Sequence, residues 1–289
     1  MPKPARWGQE RRLEFIDFRL YWSGRINRSD LVDFFSVSVP QASLDLARYR
    51  EIAPQNIEYD PAERAYVARS EFSPIIAPKE ADAYLNQVLG LELGILQPNM
   101  TFVGSPVDAA AIRNPCRNVD ASVLRIVLQA IRSVRILQIK YQSMTRAFPS
   151  ERTISPHAIA FDGSRWHVRA FCHEHEDFRD FVFARILDIA LRENSTIDPS
   201  SDILWKREIE VIIRPNPELT QPQRTAIELD FGMTNGRLAL SVREALLFYF
   251  LKHLRLLPST NGISEHIVLA NGEELAPFFA DHGLAPESK

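Results

Sequence analysis

Residues 37–50 read VSVPQASLDLARYR. Ser38 stands where a hydroxyl can accept an orphan backbone N–H at a helix start, and Pro40 falls in the first turn, where its missing N–H is not needed. Ala42, Leu44, Leu46, Ala47 and Tyr49 follow as the apolar positions of a helix running through about Arg50. Before it, residues 30–35 form a short helix with Ser29 as its N-cap. Residues 11–22 form a longer one, dense in Leu13, Phe15, Ile16, Phe18, Leu20 and Tyr21. After it, two β-like pieces, 57–59 and 65–68, are joined by Asp60-Pro61-Ala62-Glu63-Arg64, in which Asp and Pro begin a turn.

Helix, short helix, tight turn, helix and hairpin is the order of a winged helix–turn–helix. The second helix of the pair projects into a major groove and the hairpin lies along the neighbouring backbone. A small helical subdomain with a structural hairpin has the same order, and pattern alone does not choose between them.

The chain has 289 residues, room for two domains or three small ones, with 45% hydrophobic and 25% charged residues, the balance of a globular protein with real cores. No apolar run approaches the ~18 residues of a membrane span, and the start, MPKPARWGQERR, lacks the apolar stretch of a secretion signal, so a cytoplasmic location is expected. Cys116 and Cys172 are too few for a disulfide framework and are expected as thiols. The net charge of −3 conceals a basic start: residues 1–28 carry seven basic side chains against three acidic ones. Phosphate contact needs a basic patch rather than a basic protein.

Residues 73–78 read as a linker, 79–89 as a helix, and 97–118 as loop or edge strand. Asp120 caps a helix to Ser133, with Val123, Leu124, Val127, Ala130 and Ile131 on one face. From Val134 the period becomes two: Leu137, Ile139 and Tyr141 alternate with Gln138, Lys140 and Gln142. Further strands are expected at 154–161, 165–171 and 180–186, with Asp162-Gly163 as a tight turn, which together suggest a small barrel. The remainder reads as a compact α+β module: strand 207–214, helix 221–229, strand 237–242, helix 243–256 and strand 266–270.

The pieces LQIKYQSM, RTISPHAI, DGSRWHVRAF and FRDFVFARI, spread over 137–186, resemble the WYL domain of bacterial regulators, an Sm-like or SH3-like β-barrel. The Trp-Tyr-Leu of the family's name stands here as Trp166-His167-Val168. That variant, Pro156-His157 and Arg169-Ala170-Phe171 are similar to a subgroup found beside phage-defence systems of the BREX and CBASS types. The subgroup joins a winged helix–turn–helix, a WYL domain and a C-terminal extension, the order read above. The resemblance implies an α+β chain with a DNA-binding domain at 1–72, a helical linker region at 73–133, a ligand-sensing barrel at 134–195 and a dimerising extension at 203–285. It also implies a repressor of a phage-defence operon.

Carried over position by position, the resemblance implies a ligand pocket of Tyr141, Ser143, His157, His167, Arg169, Arg179 and Arg185. Strand parity agrees in part, placing His167 and Arg169 on one face, outward or towards a pocket, and Trp166 on the core face. Arg179 and Arg185 share parity and are expected on one surface. Arginine's rigid fork suits phosphate, so a nucleotide or oligonucleotide is the expected ligand. Surface salt bridges alone are the competing account of these residues, each worth about 0–1 kcal/mol.

For DNA, the residues placed to read bases are Ser38, Gln41 and Ser43, with Arg48 further along the helix, while Arg25, Arg28 and the hairpin-tip Arg64 are placed for phosphates. Asp45 is expected to pair with a neighbouring Arg instead. One helix–turn–helix reads few base pairs, so a homodimer on an inverted-repeat operator in double-stranded DNA is expected. No phosphate loop, dinucleotide fingerprint or H-E-x-x-H helix is present, and Cys172-His173-Glu174-His175 lacks a second pair to complete a metal tetrahedron. No enzyme, cofactor or metal is expected. An accessory protein that senses nucleotides through the barrel and docks a partner through its N-terminal domain is the alternative.

Overall fold

The computed structural model describes residues 4–104, 107–113, 115, 117–258 and 266–284, with side chains from residue 8. The chain divides into two compact units, Met1–Asn114 and Pro115–Lys289.

In the first unit, helix α1 (Pro4–Ser23) is followed by the two-residue strand β1 (Arg25–Ile26), α2 (Arg28–Phe35), α3 (Val39–Ile52), and the hairpin β2 (Ile57–Asp60) and β3 (Ala65–Ala68). Helix α4 (Ala81–Glu92) closes it. The strands form one antiparallel sheet in the order β1-β3-β2, the winged helix–turn–helix arrangement. Ser38 caps α3 as expected, its hydroxyl accepting the Gln41 N–H at 3.3 Å. The cap of α2 is Asn27 rather than Ser29. The Asp30 carboxylate accepts the Asn27 N–H at 2.6 Å, which starts the helix two residues earlier and puts Arg28 in its first turn. Strand β1 was beyond reach of a periodicity of two.

Leu44, counted above among the apolar positions of α3, is 64% exposed, and the buried stripe is Ala42, Asp45, Leu46 and Tyr49. A carboxylate occupying a core position disguised the period. Asp45 is neutralised where it lies, accepting from Arg12 Nε of α1 at 2.6 Å. A second buried carboxylate, Asp17 of α1, has no cation within ion-pair distance among the described residues. It accepts the Tyr49 hydroxyl and the backbone N–H groups of Ile75, Ile76 and Ala77 at 2.9, 2.7 and 2.8 Å. Asn56 continues the network, donating to the Tyr49 hydroxyl at 3.1 Å and to the Ser73 carbonyl at 2.7 Å. Burial, reinforced by Asp17, raises the Tyr49 phenol far above its usual range, so it stays a donor.

The second unit opens with α5 (Ala121–Ser133), capped by Asp120 as expected. It lies on the sheet of β4 (Arg135–Tyr141), β5 (Ser150–Phe161), β6 (Trp166–Cys172), β7 (Asp177–Val182) and β8 (Ile186–Asn194), all antiparallel in the order β7-β6-β5-β4-β8. This sheet is not closed: the edge strands β7 and β8 form no ladder with each other, so the expected barrel is here an open, bent sheet. The stretch 73–133 thus contains two unlike helices, α4 of the first unit and α5 on this sheet.

The C-terminal module consists of α6 (Ile203–Lys206), β9 (Glu208–Pro215), α7 (Gln221–Asp230), β10 (Leu238–Arg243), α8 (Glu244–His253), β11 (Ile267–Leu269) and α9 (Ala276–Asp281). Its sheet runs β10-β9-β11 over a core that includes Val211, Ile213, Leu247 and Leu251. No helix among the described residues is long and apolar enough to cross a membrane.

Asp17→Asn places an amide donor among N–H and O–H donors, and should destabilise the first unit by about 3 kcal/mol, against about 1 kcal/mol for Tyr49→Phe. Urea unfolding of the two variants measures both, and equal losses would show that Asp17 is not the hub.

Candidate functional site

Helix α3 presents Val39 (55% exposed), Leu44 and Arg48 to solvent, with Ser38 at its start. Ser43 bonds back to the Val39 carbonyl at 3.0 Å. Gln41 is half-buried, its amide donating to Asp45 at 3.1 Å, so the carboxamide is held in one orientation with its oxygen and second N–H left over. Arg48 reaches Glu51 at 2.9 Å on the exposed surface, a contact of little strength. Val39 and Leu44 escaped the sequence reading of this face, although exposed apolar groups on a recognition helix suit thymine methyls.

Beside the helix pair, a cleft of about 360 Å³ is lined by Arg28, Ser29, Tyr59, Arg64 and Tyr66, among others. It joins the first turn of α2 to the wing and brings Arg28 and Arg64 to one place. Arg25 on β1 faces Glu63 at 3.6 Å. Arg64 has φ of +53°, a left-handed conformation that a glycine would adopt without strain.

In the second unit the expected ligand residues fall in three places. Tyr141 and Ser143 lie at and just beyond the end of β4, and the backbone of Arg185 comes beside it. The Tyr141 hydroxyl accepts the Val182 N–H at 3.2 Å, Ser143 Oγ accepts the Arg146 N–H at 3.1 Å, and the Arg185 carbonyl accepts the Gln142 N–H at 3.0 Å. Arg179 and Arg185 do not share a strand face, because β7 ends at Val182 and residues Phe183–Arg185 form a 3-10 turn. Arg179 is exposed on the edge strand and lines a cleft of about 590 Å³ that also holds Asp177, Asp180 and Glu244.

His157, His167 and Arg169 lie on the other side of the sheet, and none is outward. His167 and Arg169 are 2% and 4% exposed, whereas Trp166, expected in the core, is 46% exposed. Parity along β6 was read correctly but its meaning was not. Val168, Ala170 and Cys172 lie under α5, Trp166 extends past that cover at the hairpin end, and the opposite face is covered by the C-terminal module. A sheet buried on both faces has no outward parity.

Arg169 donates to Asp202 through Nε and Nη2, at 2.7 and 3.0 Å, and to Asp180 through Nη1 at 3.3 Å. Asp202 also accepts His157 Nε2 at 3.0 Å and the Trp205 N–H at 3.1 Å, and Asp180 accepts the Tyr249 hydroxyl of α8 at 3.1 Å. Burial works to raise the Asp202 carboxyl, but Arg169 outweighs it and holds it below the usual range. Burial pushes the His157 imidazole down despite Asp202, which keeps it neutral at pH 7. His157 is the extra residue of a bulge next to Pro156, which lets β5 turn this side chain towards Asp202. This network locks the WYL-like sheet to the C-terminal module, and its arginine is already matched by two carboxylates.

At the β5–β6 turn, Asp162 accepts the N–H groups of Ser164 and Arg165 at 2.8 and 2.7 Å, Arg165 Nε at 3.0 Å and His167 Nε2 at 2.8 Å. Burial would raise its carboxyl, but these four bonds bring it down to about 2. His167 Nδ1 is buried with no partner among the described residues. Cys172 donates to Glu174 at 3.2 Å and His173 bonds Ser155 at 2.9 Å, and no group of metal-ligating side chains converges among the described residues.

Three family descriptions match in chain order: the BrxR transcriptional regulator winged helix–turn–helix domain over residues 8–90, the WYL domain over 122–191, and the BrxR C-terminal dimerization domain over 208–275. The chain is 44% identical over 276 residues to the DNA-binding transcriptional repressor CapW of Stenotrophomonas maltophilia, covering 94% of this chain and 92% of that protein. It is 42% identical over 252 residues to CapW of Pseudomonas aeruginosa, covering 87% and 84%. Proteasome accessory factor B/C of Arthrobacter aurescens, a solved structure, aligns at 18% identity and a TM-score of 0.26, too low to bear on the fold. The chain covers less than half of that protein's length, 46%, with 92% of its own residues aligned.

Asp202→Asn should cost about 3 kcal/mol by leaving Arg169 under-compensated in a buried site, while Arg179→Ala on the exposed edge should change stability by less than about 0.5 kcal/mol. Denaturant unfolding of the full chain compares them. The stability that ionised Asp162 contributes is complete above the unfolded carboxylate value of about 3.9 and is lost as pH falls towards about 2. Asp162→Asn should therefore flatten the acid limb of the stability curve, which a pH series of unfolding midpoints would show.

Proposed function

The chain belongs to the CapW family of transcriptional repressors, and from that membership we propose that it is a homodimeric, sequence-specific DNA-binding repressor, with a phage-defence operon as its target. The observation that supports this reading is that the first unit holds both an α3 face exposed at Val39, Leu44 and Arg48 and a cleft that joins Arg28 of α2 to Arg64 of the wing. A duplex needs that combination: base contacts from a helix in the major groove, flanked by phosphate contacts that fix its register. Ser38, Gln41, Ser43 and Arg48 are assigned to the groove, joined by Val39 and Leu44, and Arg25, Arg28 and Arg64 to the backbone.

Control is assigned to an anionic ligand, a nucleotide or oligonucleotide, at the WYL domain. Tyr141, Ser143, Arg179 and Arg185 remain candidates for direct contact. His157, His167 and Arg169 act as positioning residues through the network to Asp202, Asp180 and Tyr249. Ligand and operator must then weaken each other by the same factor, typically about 5- to 150-fold.

Fluorescence anisotropy with DNA from upstream of the chain's own operon tests the reading. Specific binding by a dimer to an inverted repeat is expected, with half-site centres about 34–36 Å apart or a multiple of that. Equal binding to all duplexes by a monomer would overturn it. Gln41→Ala should relax the preference at one base position by about 1–3 kcal/mol. Arg64→Gly separates function from fold. It should raise stability by about 1 kcal/mol by relieving the left-handed arginine, while weakening binding to all sequences alike and reducing the salt dependence.

A further inference from the structure

We propose that the cleft beneath the β5–β6 turn is a phosphate-binding site. The cleft holds about 320 Å³ and is lined by Arg165 of the turn, Arg117 from the segment before α5, and Lys252 and His253 from the last turn of α8. Ser164 and Tyr249 add hydroxyl-bearing walls. The single carboxylate among the described lining residues, Asp162, has its oxygens engaged by four donors and turned into the hairpin. No carboxylate pairs with Arg117, Lys252 or His253 among the described residues. Among the described residues Arg165 is held to Asp162 through Nε alone, which leaves the two terminal nitrogens of its fork available. Gly163, at φ of +87°, brings bare backbone against His253, whose Nδ1 would lie 3.4 Å from a Cβ there. The turn and the end of α8 are therefore close enough to grip one small group.

A helix C-terminus attracts cations for its own sake, which accounts for Lys252 and His253. It does not account for Arg117 and Arg165 arriving at the same cleft from two other parts of the chain. The larger cleft around Arg169 is the weaker candidate for an anion. Its buried arginine is matched by Asp202 and Asp180, and Asp177 and Glu244 add further negative charge. Three or four convergent donors with their counter-charge turned away suit a phosphate group, carried by a free nucleotide or by a nucleic-acid strand. Such a group would tie the WYL turn to the C-terminal module directly, beside the Arg169 network.

This inference rests on the reading that an anionic ligand controls the chain, and it names the place. Calorimetric titration of the full chain at low salt, with inorganic phosphate, a nucleoside monophosphate and a 5′-phosphorylated hexathymidylate, tests it. Arg117→Ala/Lys252→Ala should weaken binding about tenfold or more, and Lys252→Glu alone should do so as well. Arg132→Ala/Arg237→Ala should leave binding within about threefold, since those exposed side chains lie outside the cleft and have no part in the proposed ligand contacts. All the changed side chains are solvent-accessible, and unchanged thermal unfolding verifies each variant. Tighter binding of the monophosphate assigns the cleft to a free nucleotide, and tighter binding of the strand assigns it to nucleic acid. Unweakened binding by Arg117→Ala/Lys252→Ala would overturn the cleft assignment while leaving ligand control standing. Binding that the cleft variants abolish but that never alters operator affinity would uphold the cleft and overturn ligand control. No binding of any probe to the unaltered chain would overturn both.

Discussion

Arg169 is held between the carboxylates of Asp202 and Asp180, and the second unit is organised around that arrangement. A guanidinium that is 4% exposed is tolerable only with its charge matched and its donors satisfied, so the backbone at 202, β7 and β6 must all arrive in register. Asp202 adds to the constraint by capping the short helix that leads into β9 and by accepting from His157. Tyr249 carries it into α8. A change of charge on any member would be felt in both the sheet and the C-terminal module, the property a relay between a bound ligand and a dimer-forming module requires.

The first unit uses the same device with fewer charges. Asp17 gathers one hydroxyl and three consecutive backbone N–H groups, tying α1 to α3 and to the strap that follows the wing. Asp45 performs a related task one turn of α3 earlier, where it accepts from both Arg12 and Gln41. The recognition helix is thus positioned by two buried carboxylates on one face, while its other face is left to Val39, Leu44 and Arg48. Ser38 and Gln41, proposed above for the major groove, also serve the helix itself, one as its cap and the other as a donor to Asp45.

Much of this was legible from local chemistry. The Ser38 cap with Pro40, the Asp120 cap and the period change after Val134 each follow from a few neighbouring residues, and the structure places elements there. Three misreadings arose where side-chain faces were read from period alone. Leu44 was counted as core because Asp45 occupies a core position, and Trp166 was counted as core because parity on β6 presumes one wet face. Arg179 and Arg185 were paired by a parity that a 3-10 turn interrupts.

Sequence by itself determined the order of the longer elements, the starts of α3 and α5 and the resemblance that leads to a winged helix–turn–helix joined to a WYL domain. Those depend on caps, turns and spacing, interactions that span a few residues. Only the tertiary structure decided which charges are buried and matched and which stay accessible. Arg169 meets an aspartate 33 positions away, and Tyr249 meets one 69 positions away. Whether an arginine can take a ligand depends on what neutralises it, and that neighbour is brought by the fold.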